Sequence, residues 1–228
     1  ELTFDELISL IFIKWHYLFF ACLLLIISVY LRAHRWKYLF NSNTELKVQS
    51  LFQSQFIGYF INCVSPIRIG DIIRSYVVAK NTNQKTSYII GTIAMERFLD
   101  TITILFGGVI VLFYYGTDYL EIKLQFISIP FLLCLLGIPV LGYLLYRLLL
   151  KFSFPNSINN IFKNIWDGFS AIQFNHKTAI ILYSALIWSI YCINVYLIQS
   201  MFIQFQLSIF DCLLILVTSS FMLMIPVG

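Results

Sequence analysis

The chain has 228 residues, of which 60% are hydrophobic, 18% aromatic and only 11% charged, with a formal net charge of +4; its mean hydropathy is +0.84. That composition excludes an ordinary soluble domain and predicts an all-α, polytopic membrane protein. The basic residues cluster in short loops between apolar spans, the positive-inside pattern, which argues against nucleic acid as a partner.

Thr3-Phe4-Asp5-Glu6 fits a capping box ahead of an apolar run over 7–13, predicting a short interfacial helix. Lys14, Trp15, His16 and Tyr17 form an aromatic-basic belt of the kind found at headgroup depth. The first span covers 18–31 and ends in Arg32-Ala33-His34-Arg35-Trp36-Lys37, with Arg32 and Arg35 on one helical face. Two readings stay open: arginines that snorkel at the cytoplasmic surface, or an interfacial phosphate anchor made of Arg32, Arg35 and Trp36.

After a polar connector over 41–50 comes Asn62-Cys63-Val64-Ser65-Pro66-Ile67-Arg68-Ile69-Gly70-Asp71-Ile72-Ile73-Arg74. The apolar runs beside it, 51–61 and 72–79, are each too short to cross a bilayer alone. Pro66 stops a helix and Gly70 permits a turn, so Asn62, Pro66 and Gly70 mark a break between two half-helices. Positive flanks on both sides predict a re-entrant element over 51–79 that enters from the cytoplasm and returns to it. Irregular backbone and charge at that depth are tolerated where protein buries them or a wet cavity receives them, which makes Arg68, Asp71 and Arg74 candidate site residues. Asp71 is expected to cap the second half-helix and orient Arg68.

The next span, 88–115, carries Glu96, Arg97 and Asp100, with the two carboxylates four apart on one face. Such a cluster is a functional-site hypothesis by default, and an ion-pair staple to the Arg68/Arg74 region is its structural alternative. The loop at 116–123 fits the outer side, and 125–146 returns inward as a helix kinked by prolines and glycines. Ile158, Ile161, Phe162 and Trp166 recur at helical spacing opposite Lys163 and Asp167, predicting an amphipathic helix on the cytoplasmic membrane surface. A span over 177–200 leads outward, and 209–225, with a single Asp211, ends in Pro226-Val227-Gly228. Pro226 and Gly228 mark a second break, entered from outside.

These elements predict a single membrane domain over 1–228: a first half at 1–150, an interfacial connector at 151–176, and a truncated second half at 177–228. The chain begins at Glu1 and stops inside an apolar run, so it reads as an internal piece of a longer protein. Interrupted segments in two oppositely oriented halves point to an inverted-repeat helical bundle with its site between the broken helices. The half-helix after Gly70 would aim its amides at the break, and Arg68 and Arg74 would add fixed positive charge, a seat for a phosphate or another anionic headgroup. Glu96 and Asp100 would serve a cationic group or a coupling proton. The five cysteines and three histidines form no metal-ligand pattern, and neither metal nor cofactor is expected.

Arg32-Ala33-His34-Arg35-Trp36, the Asn62 to Arg74 stretch, and Glu96-Arg97 with Asp100 together resemble the lysylphosphatidylglycerol synthase transmembrane (flippase) family. Ile225-Pro226-Val227-Gly228 resembles the start of that family's Pro-Gly-Gly motif. The resemblance implies a multi-pass protein of a prokaryotic cytoplasmic membrane that handles lipids through two re-entrant elements. It carries over Arg68, Asp71, Arg74, Glu96, Arg97 and Asp100 as headgroup-binding positions. Membrane lipids are the expected partners, with a homo-oligomer as a further option. No soluble synthase domain is present, so lysine transfer is not implied and no catalytic residue is assigned. Three functions remain open: a lipid flippase, a membrane-embedded glycosyltransferase using a polyprenyl-phosphate sugar, and a structural or regulatory subunit.

Overall fold

The computed structural model describes residues 13–41, 46–65, 69–115, 156–202 and 207–224. The motif at 3–6, Pro66, Arg68, the helix expected over 125–146, Pro226 and Gly228 lie outside them. Among the described residues every element is helical: α1 (Trp15–Lys37), α2 (Val48–Val64), α3 (Gly70–Thr82), α4 (Thr86–Tyr115), α5 (Asn156–Phe169), α6 (Lys177–Gln199) and α7 (Ile209–Met224). A single 3₁₀ turn, Phe174–His176, leads into α6.

Three of these helices are long and apolar enough to cross a membrane, α1 with 23 residues, α4 with 30 and α6 with 23. At about 1.5 Å per residue they reach roughly 35–45 Å, beyond the ~30 Å hydrocarbon core. Phe19, Phe20 and Ile26 on α1, Phe106 and Phe113 on α4, and Ile181 and Leu182 on α6 face outward. In water such a surface would be a liability; against lipid it is the ordinary exterior of a membrane bundle. The protein is an integral membrane protein.

Helix ends follow local chemistry. The last turn of α1 carries His34, Arg35 and Lys37, which complement the negative end of the helix dipole. Helix α2 stops at Ser65, which is extended (φ −89°, ψ 129°), as expected of a residue ahead of a proline. Helix α3 ends at Asn83 in the left-handed region (φ 52°), one of the few non-glycine residues that tolerate it. Asp211 closes a capping box at the start of α7: the Ser208 N–H donates to its Oδ2 at 2.8 Å, and its own N–H donates to Ser208 Oγ at 3.2 Å. The Tyr115 hydroxyl donates to the same carboxylate and ties α4 to α7.

Helices α2 and α3 form an antiparallel hairpin, with Asn81 Nδ2 donating to Ser50 Oγ near its open end. The hairpin closes tightly. A Cβ on Gly70 would run into the Gly58 carbonyl oxygen, so glycine there permits backbone to meet backbone. Gly91 of α4 and Gly168 of α5 do the same, each facing the other helix's backbone, Ile165 O and Tyr88 O respectively. Helix α5 is thereby fastened to the start of α4 while Ile161 and Trp166 stay exposed.

Two contacts fix the order of the ends. Gln173 N–H donates to Tyr38 O at 3.1 Å, placing the start of α6 beside the end of α1. Lys14 Nζ donates to Ser200 O and Met201 O, placing the opposite ends together. Helices α1 and α6 are therefore antiparallel. The core fills the first of these ends, where Trp36, Phe40, Leu51, Val78, Ile89 and Ile180 bring five helices together.

Candidate functional site

Just above that core lies a buried group of charges contributed by α1, α3 and α4. Arg32 Nη1 reaches Glu96 Oε1 at 2.9 Å and its Nη2 reaches Asp100 Oδ2 at 3.0 Å. Arg35 Nη2 sits 2.7 Å from Asp100 Oδ1 and 3.7 Å from Glu96 Oε1, and its Nη1 donates to Ser184 Oγ at 2.9 Å. Arg74 Nη2 approaches Glu96 Oε2 at 3.2 Å, and its guanidinium lies 4.9 Å from the centre of the Trp36 ring. Trp36 is held in turn by its Nε1, which donates to Thr92 Oγ1 at 3.0 Å. The helical spacing of Arg32/Arg35 and of Glu96/Asp100 makes this meeting possible, since each pair projects from one face.

The charges do not cancel. Arg32, Arg35 and Arg74 are buried, as are Glu96 and Asp100, and with the rim residues Arg97 and Asp71 the cluster among the described residues holds four guanidiniums against three carboxylates. At the rim the partly exposed Asp71 is shared, 3.1 Å from the partly exposed Arg97 and 3.0 Å from the buried Arg74. Hydrogen bonding is also incomplete. Arg74 Nε and Nη2 and Glu96 Oε2 lie at ion-pair distance from carboxylate or guanidinium partners, but their angles are not those of hydrogen bonds. Gln55 on α2 is 1% exposed, and neither atom of its amide has a partner among the described residues. Tyr59, one turn further along the same face of α2, is within electrostatic reach of Arg32, Glu96 and Arg74.

The geometry redistributes the roles expected from the sequence. Arg32, Arg35 and Trp36 do not snorkel at the interface; they are buried, because carboxylates on α4 offer better compensation than headgroups at the rim. Asp71 makes no cap for α3. The cap comes from α2, where Asn62 Oδ1 accepts from the Gly70 N–H at 2.8 Å, while Asp71 turns to Arg97 and, at 3.0 Å, to Arg74 Nε. Arg74, Glu96 and Asp100 do come together, as one cluster with the two α1 arginines.

The comparisons with known proteins bear on this arrangement. The family described as "Lysylphosphatidylglycerol synthase TM region" matches residues 4–228, nearly the whole chain. The chain belongs to that family. It is also similar to the UPF0104 membrane protein MJ1078 of Methanocaldococcus jannaschii, 30% identical over 146 residues, 61% of this chain and 60% of the relative. The chain thus spans less than two thirds of that relative's length. No solved structure matches it.

As a lysylphosphatidylglycerol synthase transmembrane region, the chain has its three sequence motifs converge on one cluster from α1, the α2–α3 hairpin and α4. Four participants escaped sequence reasoning: Gln55, Tyr59, Ser184 and Tyr191, whose hydroxyl accepts from Arg32 Nε at 3.0 Å. An uncharged polar residue inside an apolar span was the available signal for each. Among the described residues no group of three or more histidines, cysteines or carboxylates is placed to hold a metal ion.

Proposed function

We propose that the chain is the membrane part of a lipid transporter that moves an anionic or aminoacylated phospholipid, or a polyprenyl-phosphate-type lipid, between leaflets. The observation that carries this reading is the excess of one positive charge over the described cluster as a whole, beside hydrogen-bonding groups left uncommitted on Arg74, Glu96 and Gln55. A phosphate oxygen seated against Arg74 would offset that excess and complete hydrogen bonds that its ion pairs with Asp71 and Glu96 leave unmade. The antiparallel α2–α3 hairpin, whose open end lies with Lys47 and Lys80, supports the reading: taken as a re-entrant element it would carry Arg74 to membrane depth. The exposed Arg97–Asp71 pair stands where an incoming headgroup would first meet the protein.

Glycosyl transfer is less well served. Glu96 is engaged at once by Arg32, Arg35 and Arg74, so its carboxylate is committed to three guanidiniums rather than presented to a sugar acceptor. A second reading, a structural subunit whose charges tie helices together, draws on the same ion pairs, since buried pairs alone are weak grounds for function.

The test uses the full-length protein in vesicles carrying a headgroup-labelled lipid on one leaflet, with wild type and Arg74→Gln compared. Label appearing on the far leaflet for wild type, and lost in a folded Arg74→Gln variant, supports transport through this site. Equal rates in both, at the rate of empty vesicles, overturn it.

A further inference from the structure

Gln55 of α2 is the one neutral side chain of the cluster whose amide has nothing to bind: it is 1% exposed, and neither its Oε1 nor its Nε2 has a hydrogen-bond partner among the described residues. Its place follows from its neighbours on the same helical face, Leu51 one turn before it and Gly58 one turn after. Leu51 packs in the core with Trp36 and Val78. Gly58 lies against the stem of Arg74, where an added Cβ would stand 3.2 Å from Arg74 Cδ and 3.4 Å from its Cβ. From that stem the Arg74 guanidinium extends to the Trp36 ring and to Glu96. Gln55 therefore stands between the two points that fix the Arg74 side chain, roughly 5–6 Å from the Gly58 position. Tyr59, one turn further along that face, is within electrostatic reach of Arg32, Glu96 and Arg74.

The groups left without hydrogen bonds here are of two kinds. Arg74 Nε and Nη2 and Gln55 Nε2 are donors, whereas Glu96 Oε2 and Gln55 Oε1 are acceptors. A phosphate oxygen serves the donors and leaves the acceptors empty. A ligand that fills them brings its own hydrogen, as a hydroxyl or an ammonium does. An ammonium is poorly served. Glu96 and Asp100 are already 2.9 and 3.0 Å from Arg32, and Asp71 is 3.0 Å from Arg74, within a cluster whose guanidiniums outnumber its carboxylates. The aromatic faces suited to a cation are taken as well, Trp36 by Arg74 and Tyr191 by Arg32. A hydroxyl both donates and accepts without adding charge, which complements an amide with both of its functions free.

We propose that Gln55 binds a hydroxyl of the alcohol esterified to the headgroup phosphate, so that this site selects phosphodiesters of a polyol over those whose headgroup ends in an ammonium. This rests on the transport reading given above and narrows its lipid. Arg74 takes the phosphate, the Gln55 amide takes the hydroxyl, and Glu96 Oε2 offers a second acceptor beside it. Gln55 is thus a specificity-determining residue: it touches the headgroup and no bond changes there.

Two measurements test the selectivity. The full-length protein in vesicles is given lipids that carry the same acyl-chain label on one leaflet and differ only in headgroup: phosphatidylglycerol, phosphatidylethanolamine and lysylphosphatidylglycerol. Wild type is expected to move phosphatidylglycerol about tenfold faster than the other two, the scale of one well-placed hydrogen bond. Gln55→Leu, which buries no unmatched amide, is expected to melt no lower than wild type and to move phosphatidylglycerol as slowly as the others. Gln55→Glu, which adds a carboxylate, is expected to turn the preference toward the ammonium headgroups. Equal rates for the three lipids in wild type, or an unchanged preference in either variant, overturn the proposal. The second measurement needs no transport. In detergent, glycerophosphoglycerol is expected to raise the melting midpoint of wild type more than glycerophosphoethanolamine does, and the difference to vanish in Gln55→Leu. Equal shifts in wild type overturn the proposal. If wild type moves none of the three lipids, the transport reading fails, and the soluble headgroups alone decide whether the polyol preference exists.

Discussion

Arg32 and Glu96 stand 64 positions apart in sequence, yet their side chains meet at 2.9 Å with almost no surface left open. Glu96 also faces Arg35 and Arg74, so one carboxylate balances parts of three guanidiniums. Glu96→Gln is expected to destabilise the fold by about 3–5 kcal/mol, the usual cost of stranding a buried charge. Thermal unfolding in detergent checks this. The double variant Arg32→Met with Glu96→Leu is expected to recover a large part of the loss, because it removes both charges together.

The rim pair behaves differently. Arg97 and Asp71 are both more than a third exposed, so solvent screens their contact. Arg97→Ala is expected to change stability by less than about 1 kcal/mol, whereas Arg35→Ala, with a side chain at 0% exposure, costs several times more. The same unfolding assay on both variants checks the contrast; equal losses would contradict it.

Trp36 is wedged between two polar partners, Arg74 over its face and Thr92 at its N–H. Trp36→Phe keeps a π face for Arg74 and loses the hydrogen bond to Thr92. Trp36→Leu loses both. The leucine variant is expected to be the weaker by about 0.5–2 kcal/mol, the range of a desolvated cation–π contact. Denaturation midpoints of the two variants measure the difference.

Asn62 reaches across the hairpin to the first amide of α3. Asn62→Ala is expected to cost about 1 kcal/mol, and Asn62→Asp to keep the cap. Amide hydrogen exchange should then quicken at the start of α3 in the alanine variant and little elsewhere. Uniform quickening along the chain would contradict a local role.

Gly91 and Gly168 allow α4 and α5 to touch backbone to backbone. Gly91→Val is expected to push α5 away, costing about 1–3 kcal/mol as overpacked contacts do. Faster proteolysis within α5, with α4 still intact, is the measurable outcome.

Much was legible from the residues alone. Long apolar runs bounded by basic and aromatic belts marked α1, α4 and α6, because a bilayer demands both length and hydropathy. Pro66 and Gly70 marked the division between α2 and α3, since one ends a helix and the other lets two backbones touch. The amphipathic face of α5 was plain in its spacing. These are local properties, set by a few neighbouring residues and by the solvent they require.

Only the tertiary structure decided which charges meet. Arg32 and Arg35 on one helical face satisfy a lipid surface as well as they satisfy a carboxylate, and nothing local separates the two. Their partners arrive from α4, more than sixty residues on, once α1 and α4 are packed around the same core. Asp71 shows the same limit: its position suits a cap, but Asn62 of α2 holds that place and Arg97 draws the carboxylate away. Composition and periodicity specify which environment each segment needs. A buried charge takes whichever partner the fold brings within about 3 Å, and that choice exists only after the helices have assembled.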